Sequence, residues 1–194
     1  TYSQDVEVEL IGEGAFLGCT SLTNIDLPIT VKEIGDEVFY GCANLKSVIV
    51  PKGISAIKQN WFAGCSSLSY VKFLDENTSI PQSAFANLEK LEEVVLPESM
   101  ESIPNRTFYG CHSLYTIHIP NSVTSIGDAA FYGCRSLPSL NILEKPNNLR
   151  FIGASAFSGC TNLASPICLM NIETIGNCAF ENCKSLLSII ISGN

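Results

Sequence analysis

Residues 11–28 read Ile11-Gly12-Glu13-Gly14-Ala15-Phe16-Leu17-Gly18-Cys19-Thr20-Ser21-Leu22-Thr23-Asn24-Ile25-Asp26-Leu27-Pro28. The frame of this stretch returns down the chain. Phe stands at positions 16, 39, 62, 85, 108, 131, 157 and 180, so the step is 23 residues throughout except for one of 26. An Ile precedes each Phe by five residues, from Ile11 to Ile175, and a Leu follows each by six, from Leu22 to Leu186. A fixed period of this size marks a stacked array, in which each unit buries its apolar edge only against its neighbours. The eight Phe are expected to form one ladder through the core.

The remaining columns assign local structure. Three residues after the Phe stand Cys19, Cys42, Cys65, Leu88, Cys111, Cys134, Cys160 and Cys183. The Leu shows that the position wants a compact apolar side chain, which free Cys can supply. In the fifth unit Ile117 and Ile119 alternate with Thr116 and His118, the period-two pattern of a half-buried strand. Pro28, Pro51, Pro97 and Pro120 end such strands. Asp36, Asn105, Asp128 and Asn177, three residues before the Phe, suit a helix N-cap. Two residues after it, Gly or Asn recurs from Gly18 to Asn182, the residue types that tolerate a left-handed helix end. One 3₁₀ or α turn fits between these signals. Strands about 4.7–4.9 Å apart on one face and helical turns about 8–10 Å apart on the other predict a stack curved with its sheet on the concave side.

The unit Ile-Gly-x-x-Ala-Phe-x-Gly-Cys-x-x-Leu-x-x-Ile-x-Leu-Pro, complete at residues 11–28 and begun again at 126–137, resembles the BspA-like class of leucine-rich repeats. The resemblance covers roughly residues 8 to 192. It implies a leucine-rich-repeat solenoid, a right-handed β/α superhelix with a parallel sheet on the concave face and short helical or 3₁₀ turns on the convex face. It implies a surface or secreted protein, at home outside the cell, that mediates adhesion, often to host matrix proteins or other microbes. It implies no catalytic residue. Residues 1–194 are expected to form one domain of eight repeats, cut from a longer array, because neither end shows the polar capping unit a solenoid needs.

Composition narrows the partners. A net charge of −8 without Lys/Arg clusters repels phosphate backbones and anionic membrane surfaces. No apolar run approaches the roughly 18 residues of a membrane span. A protein ligand or a glycan remains. Two imidazoles, His112 and His118, and scattered carboxylates build no catalytic constellation, and no Cys pairs stand at zinc spacing. No cofactor is expected.

Binding is therefore sought on the outward strand positions. The middle units offer Tyr70, Lys72, Glu93, Val95, Tyr115, Thr116, His118 and Asn141, a varied set with aromatic groups typical of binding anchors. The alternative is that these are ordinary β-formers. Ile167 and Ile190 form an apolar strip in the last units. Three classes of function stay open: an extracellular adhesive module, an intracellular protein-interaction scaffold, and a passive spacer.

Individual departures carry further expectations. Trp61, where other units have Ala or another small residue, is read as packing. Asn77 replaces an apolar residue in the fourth unit. Pro166 falls at an inward strand position of the seventh, with Cys168 at the next, and three extra residues enter near Glu144–Asn148. The column cysteines are expected to be buried reduced thiols, too far apart for disulfides if the coils stand 8–10 Å apart. Cys178, outside the column, is expected to be exposed and open to oxidation. The sequons at Asn77 and Asn105 matter only in a eukaryotic secretory route.

Overall fold

The computed structural model describes residues 7–140 and 148–191. The chain winds as stacked coils. Its strands are β1 (Leu10–Ile11), β2 (Glu33–Ile34), β3 (Ser47–Val50), β4 (Tyr70–Phe73), β5 (Glu93–Val95), β6 (Ser102–Ile103), β7 (Thr116–His118), β8 (Ser125–Ile126), β9 (Phe151–Ile152), β10 (Ile167–Leu169), β11 (Thr174–Ile175) and β12 (Ile189–Ile191). Every pairing is parallel. Strands β3-β4-β5-β7 form the expected sheet, with Val48, Val71, Val94 and Ile117 pointing into the core. A second sheet, β6-β8-β9-β11, runs through the Ile column, pairing Ile103, Ile126, Ile152 and Ile175 in register.

The Phe ladder is the spine of the core. Rings in successive coils lie 5.2 to 6.1 Å apart, and their planes differ by no more than 19°. The six inner rings are fully buried, while Phe16 and Phe180 pack at the edges. Trp61 is buried as expected. Its ring meets Phe39 and Phe62 edge-on, and its Nε1–H donates to the Gly35 carbonyl at 2.8 Å.

The helical turns expected on the opposite face do not form. Among the described residues there is no helix, and the segments around each Phe are turns. Two left-handed residues flank every Phe, four positions apart. One is the anticipated Gly or Asn. The other, two residues before the Phe, is Gly14, Glu37, Asn60, Ser83, Arg106, Ala129, Ser155 or Cys178, with φ between 51° and 66°. A left-handed residue cannot continue a right-handed helix. The backbone bonds instead to the next coil. Phe108 donates to Ala130 at 2.8 Å, and Arg106 and Gly110 on either side donate to Asp128 and Tyr132. The expected N-caps also act across coils. Asn105 Oδ1 accepts the Asp128 N–H, and Asp128 Oδ1 accepts the Ala154 N–H. Coils are thus hydrogen-bonded on both faces, and the 8–10 Å spacing expected of packed helices is absent.

That closeness removes the distance argument against disulfides and replaces it with another. Cys42, Cys65, Cys111, Cys134, Cys160 and Cys183 each direct Sγ at the Phe-column carbonyl of the preceding coil, at 3.0 to 3.2 Å. The column is a ladder of thiol donors as well as apolar filling. All nine cysteines are free, and Cys19 and Cys178 are exposed.

Two coils depart from the expected register. Counting from Phe157 would place Pro166 and Cys168 inward and Ile167 outward. The structure does the reverse: Ile167 and Leu169 are buried, Cys168 is half-buried, and Pro166 is exposed. Ile167 pairs with Ile189 rather than lying beside Ile190, so the expected apolar strip does not exist in that form. A one-residue slip exchanges the two faces of a strand. Burying Ile and Leu outweighs keeping the count, and Pro166, which lacks a ladder donor, is left outside. In the fourth coil Thr78 rather than Asn77 enters the core, with its hydroxyl donating to the Ile54 carbonyl at 2.7 Å. Thr107 of the other sequon is likewise buried and bonded, to the Pro104 carbonyl. Of the three-residue insertion, residues 144–147 lie outside the described residues, and Asn148 donates to the Asn121 carbonyl at 3.2 Å.

The closeness of the coils makes one column of glycines critical: Gly35, Gly127, Gly153 and Gly176. A Cβ on Gly153 would stand 2.5 Å from the Asp128 nitrogen and 2.6 Å from both its Oδ1 and the Gly127 carbonyl carbon. Two of these are backbone atoms that cannot turn aside. Gly153→Ala is expected to cost about 2–3 kcal/mol as overpacking. Gly12, with nothing within 4 Å of its would-be Cβ, serves as the control. Gly12→Ala should stay within about 0.5 kcal/mol of the parent. Equal urea midpoints for the two variants would show that the coils can part.

Candidate functional site

The outward residues of the main sheet form two rows. Ser47, Tyr70, Glu93 and Thr116 make the first, in register across β3, β4, β5 and β7. Ile49, Lys72, Val95 and His118 make the second. Core-facing residues alternate with them, as the period of a strand requires.

The alternation fails where the chain enters each strand. Tyr115 and Thr116 are adjacent, yet both are exposed, Tyr115 at 62%. Glu92 and Glu93, and Ser69 and Tyr70, likewise both reach the outside. The hydrogen bonds show why. The Ser69 carbonyl accepts two consecutive N–H groups, from Glu92 at 2.9 Å and Glu93 at 3.1 Å. The Glu92 carbonyl does the same for Tyr115 and Thr116, both at 3.0 Å. One acceptor serving two successive donors bends the backbone at the mouth of the strand. Both side chains then project.

These paired projections enclose a groove of about 420 Å³ on the middle coils. Tyr70, Glu93, Tyr115 and Thr116 line it, together with Ser69, Glu92, Ser113 and Ser136. Half of the expected binding residues are therefore gathered in one place. Lys72, Val95 and His118 lie one row further along the strands, outside it, and Asn141 lies outside the described residues. Sequence reading missed Glu92, Ser69, Ser113 and Ser136 because strict alternation does not assign them to the sheet face. The signal available was position: Ser69 and Glu92 immediately precede first-row residues.

The groove carries two carboxylates, two phenol rings and four aliphatic hydroxyls, and no cationic side chain lines it. Among the described residues no three His, Cys, Asp or Glu side chains gather as a metal site. No helix among them is long and apolar enough to cross a membrane.

Comparison with known proteins agrees with this architecture. A family model described as the BspA type leucine rich repeat region matches in six copies, over residues 3–111 and 78–194. The solved structure of the leucine-rich repeat protein of T. pallidum is 32% identical, with a TM-score of 0.70, over 83% of this chain and 74% of that one. A leucine-rich repeat protein of Bacteroides ovatus is 28% identical, with a TM-score of 0.65, over 99% of this chain and 61% of that one. A leucine rich cell surface protein of Faecalibacterium prausnitzii is 25% identical, with a TM-score of 0.52, over 96% of this chain and 52% of that one. The chain spans about three quarters of the first and between half and two thirds of the other two. No curated protein matches it. The repeat unit, the stacked parallel coils and these matches agree: the chain belongs to the BspA-type leucine-rich-repeat proteins, a family of protein-interaction repeats.

Proposed function

We propose that this chain is a non-catalytic binding module of a secreted or cell-surface protein, and that it engages a protein ligand through the groove on the middle coils. The observation that carries this reading is the groove itself. Its two Tyr side chains stand beside carboxylates and hydroxyls in a concavity, the arrangement in which interface hot spots concentrate. The family is typically non-enzymatic, and the similar protein from Faecalibacterium prausnitzii is described as a cell surface protein. Host extracellular matrix proteins and glycans are the ligands to try first. An intracellular scaffold would use the same groove, whereas a passive spacer would not need one.

The test is a binding screen of the chain against immobilised matrix proteins, mucins and glycans. A triple variant, Tyr70→Ala/Glu93→Ala/Tyr115→Ala, runs beside it, with His118→Ala as a control outside the groove. Saturable binding should weaken about tenfold or more in the triple variant and stay unchanged in the control. Binding that ignores the triple variant would remove the groove from the reading.

A further inference from the structure

We infer that the groove is built to receive an arginine side chain of the protein partner. The inference rests on the reading of the groove as a binding site and adds the chemistry of what enters it. Coil four supplies Glu92 and Glu93, and the coils on either side supply Tyr70 and Tyr115. Two aromatic groups thus flank two carboxylates in the direction of stacking. With coils near strand spacing, the backbones carrying Tyr70 and Tyr115 are separated by about 10 Å, twice that spacing. A planar cation fits such a frame: ring faces attract it through their quadrupole, and a carboxylate accepts its parallel N–H donors. Arginine meets both demands better than lysine, whose ammonium is a strongly hydrated point charge without a planar fork.

The carboxylates are also unspent. Among the described residues the ion pairs are Lys32–Glu9, Lys58–Asp36 and Arg150–Glu173, all elsewhere. No side-chain hydrogen bond engages Glu92 or Glu93 there either. A cation from outside therefore displaces no internal partner. The net charge of −8 favours the approach of a basic partner over long range, while the two rings select the shape of the group that stays.

The experiment uses a fluorescein-labelled peptide in which arginines are spaced by Gly-Ser, and a second in which citrulline replaces each arginine. Citrulline keeps the planar shape and loses the charge. Anisotropy titrations are run on the parent chain, on Glu92→Gln/Glu93→Gln, on Tyr115→Leu, and on Glu76→Gln/Glu98→Gln. The last removes the same charge outside the groove. The arginine peptide should bind about tenfold more tightly than the citrulline peptide. Glu92→Gln/Glu93→Gln and Tyr115→Leu should each weaken it at least about fivefold. Glu76→Gln/Glu98→Gln should leave it within about twofold, since those charges are exposed and screened. Equal affinity for the two peptides overturns the inference. So does equal weakening by the two double variants, which would reduce the effect to overall charge. If a protein ligand found in the screen depends on Tyr70, Glu93 and Tyr115 while the two peptides bind alike, the groove stands and the arginine falls. If that ligand ignores all three, the groove reading itself falls.

Discussion

Phe108→Ala will lower the unfolding free energy by about 3–5 kcal/mol. The ring is fully buried between Phe85 at 5.3 Å and Phe131 at 5.2 Å, nearly parallel to both. Deleting it removes the transfer free energy of a phenyl group and leaves a void between two coils whose backbones stay hydrogen-bonded and cannot close over it. Both stacking contacts of the ring are lost together. In a linear array this weakens two neighbour interfaces at once, because stability is close to a sum of unit and interface terms. Phe16→Ala provides the contrast. That ring has one stacking partner, Phe39 at 5.8 Å, and is only partly buried, so its loss should cost about 1–2 kcal/mol. Urea denaturation followed by circular dichroism measures both. A loss below about 1 kcal/mol for Phe108→Ala would contradict the ladder as the spine of the fold.

The second large effect is alkaline unfolding driven by the thiol column. Burial pushes Cys65 up to about 12 and Cys183 up to about 11 from the ordinary value of 9.0, and raises Cys42, Cys111, Cys134 and Cys160 as well. The unfolded chain ionises its thiols near pH 9 while the folded chain holds their protons. Stability is therefore intact below pH 8 and falls as pH rises from 9 toward 12. Each thiol held protonated contributes a slope of about 1.4 kcal/mol per pH unit in that window. Cys65, Cys111, Cys134 and Cys160 are all raised by burial, so their losses add across this window. The array should lose its urea resistance between pH 9 and 11. The variant Cys65→Ala/Cys111→Ala/Cys134→Ala/Cys160→Ala should show a much flatter slope, whatever its stability at neutral pH. A parent and variant with the same pH slope would refute the mechanism. A companion measurement is thiol titration of the native protein at pH 8. Cys19 and Cys178 should react first, Cys168 and Cys183 more slowly, and the five buried thiols only on unfolding.

Much of the fold was legible in the sequence, and the reason is the repeat. Every coil places a given column in the same surroundings, so a column's composition reports them eight times over. Eight Phe could only be a shared core ladder. A column of Gly and Asn could only be a left-handed turn. Leu88 among cysteines identified a buried apolar slot. Trp61, in the place just before the Phe where most units hold a small residue, was read as packing. The candidate site was half legible: Tyr70, Glu93 and Thr116 were named from their row and Tyr115 as an aromatic group beside it, whereas Glu92, at the same place in its coil as Tyr115, was not, because it breaks the alternation on which the row was read.

What the sequence by itself determined was the period, the identity of the core columns, the parallel stacking and the family, since all of these are carried by side chains that recur. Three features waited for the tertiary structure. The turn face is hydrogen-bonded coil to coil and not helical, because backbone donors and acceptors look the same in every sequence, and the extra left-handed column runs through Glu37, Arg106 and Ala129, which advertise nothing. The seventh coil slips by one residue, because the burial of Ile167 and Leu169 against their neighbours outweighs the count along the chain. The groove exists because two consecutive N–H groups share one carbonyl of the adjacent coil, a contact between residues 23 apart that no single unit contains.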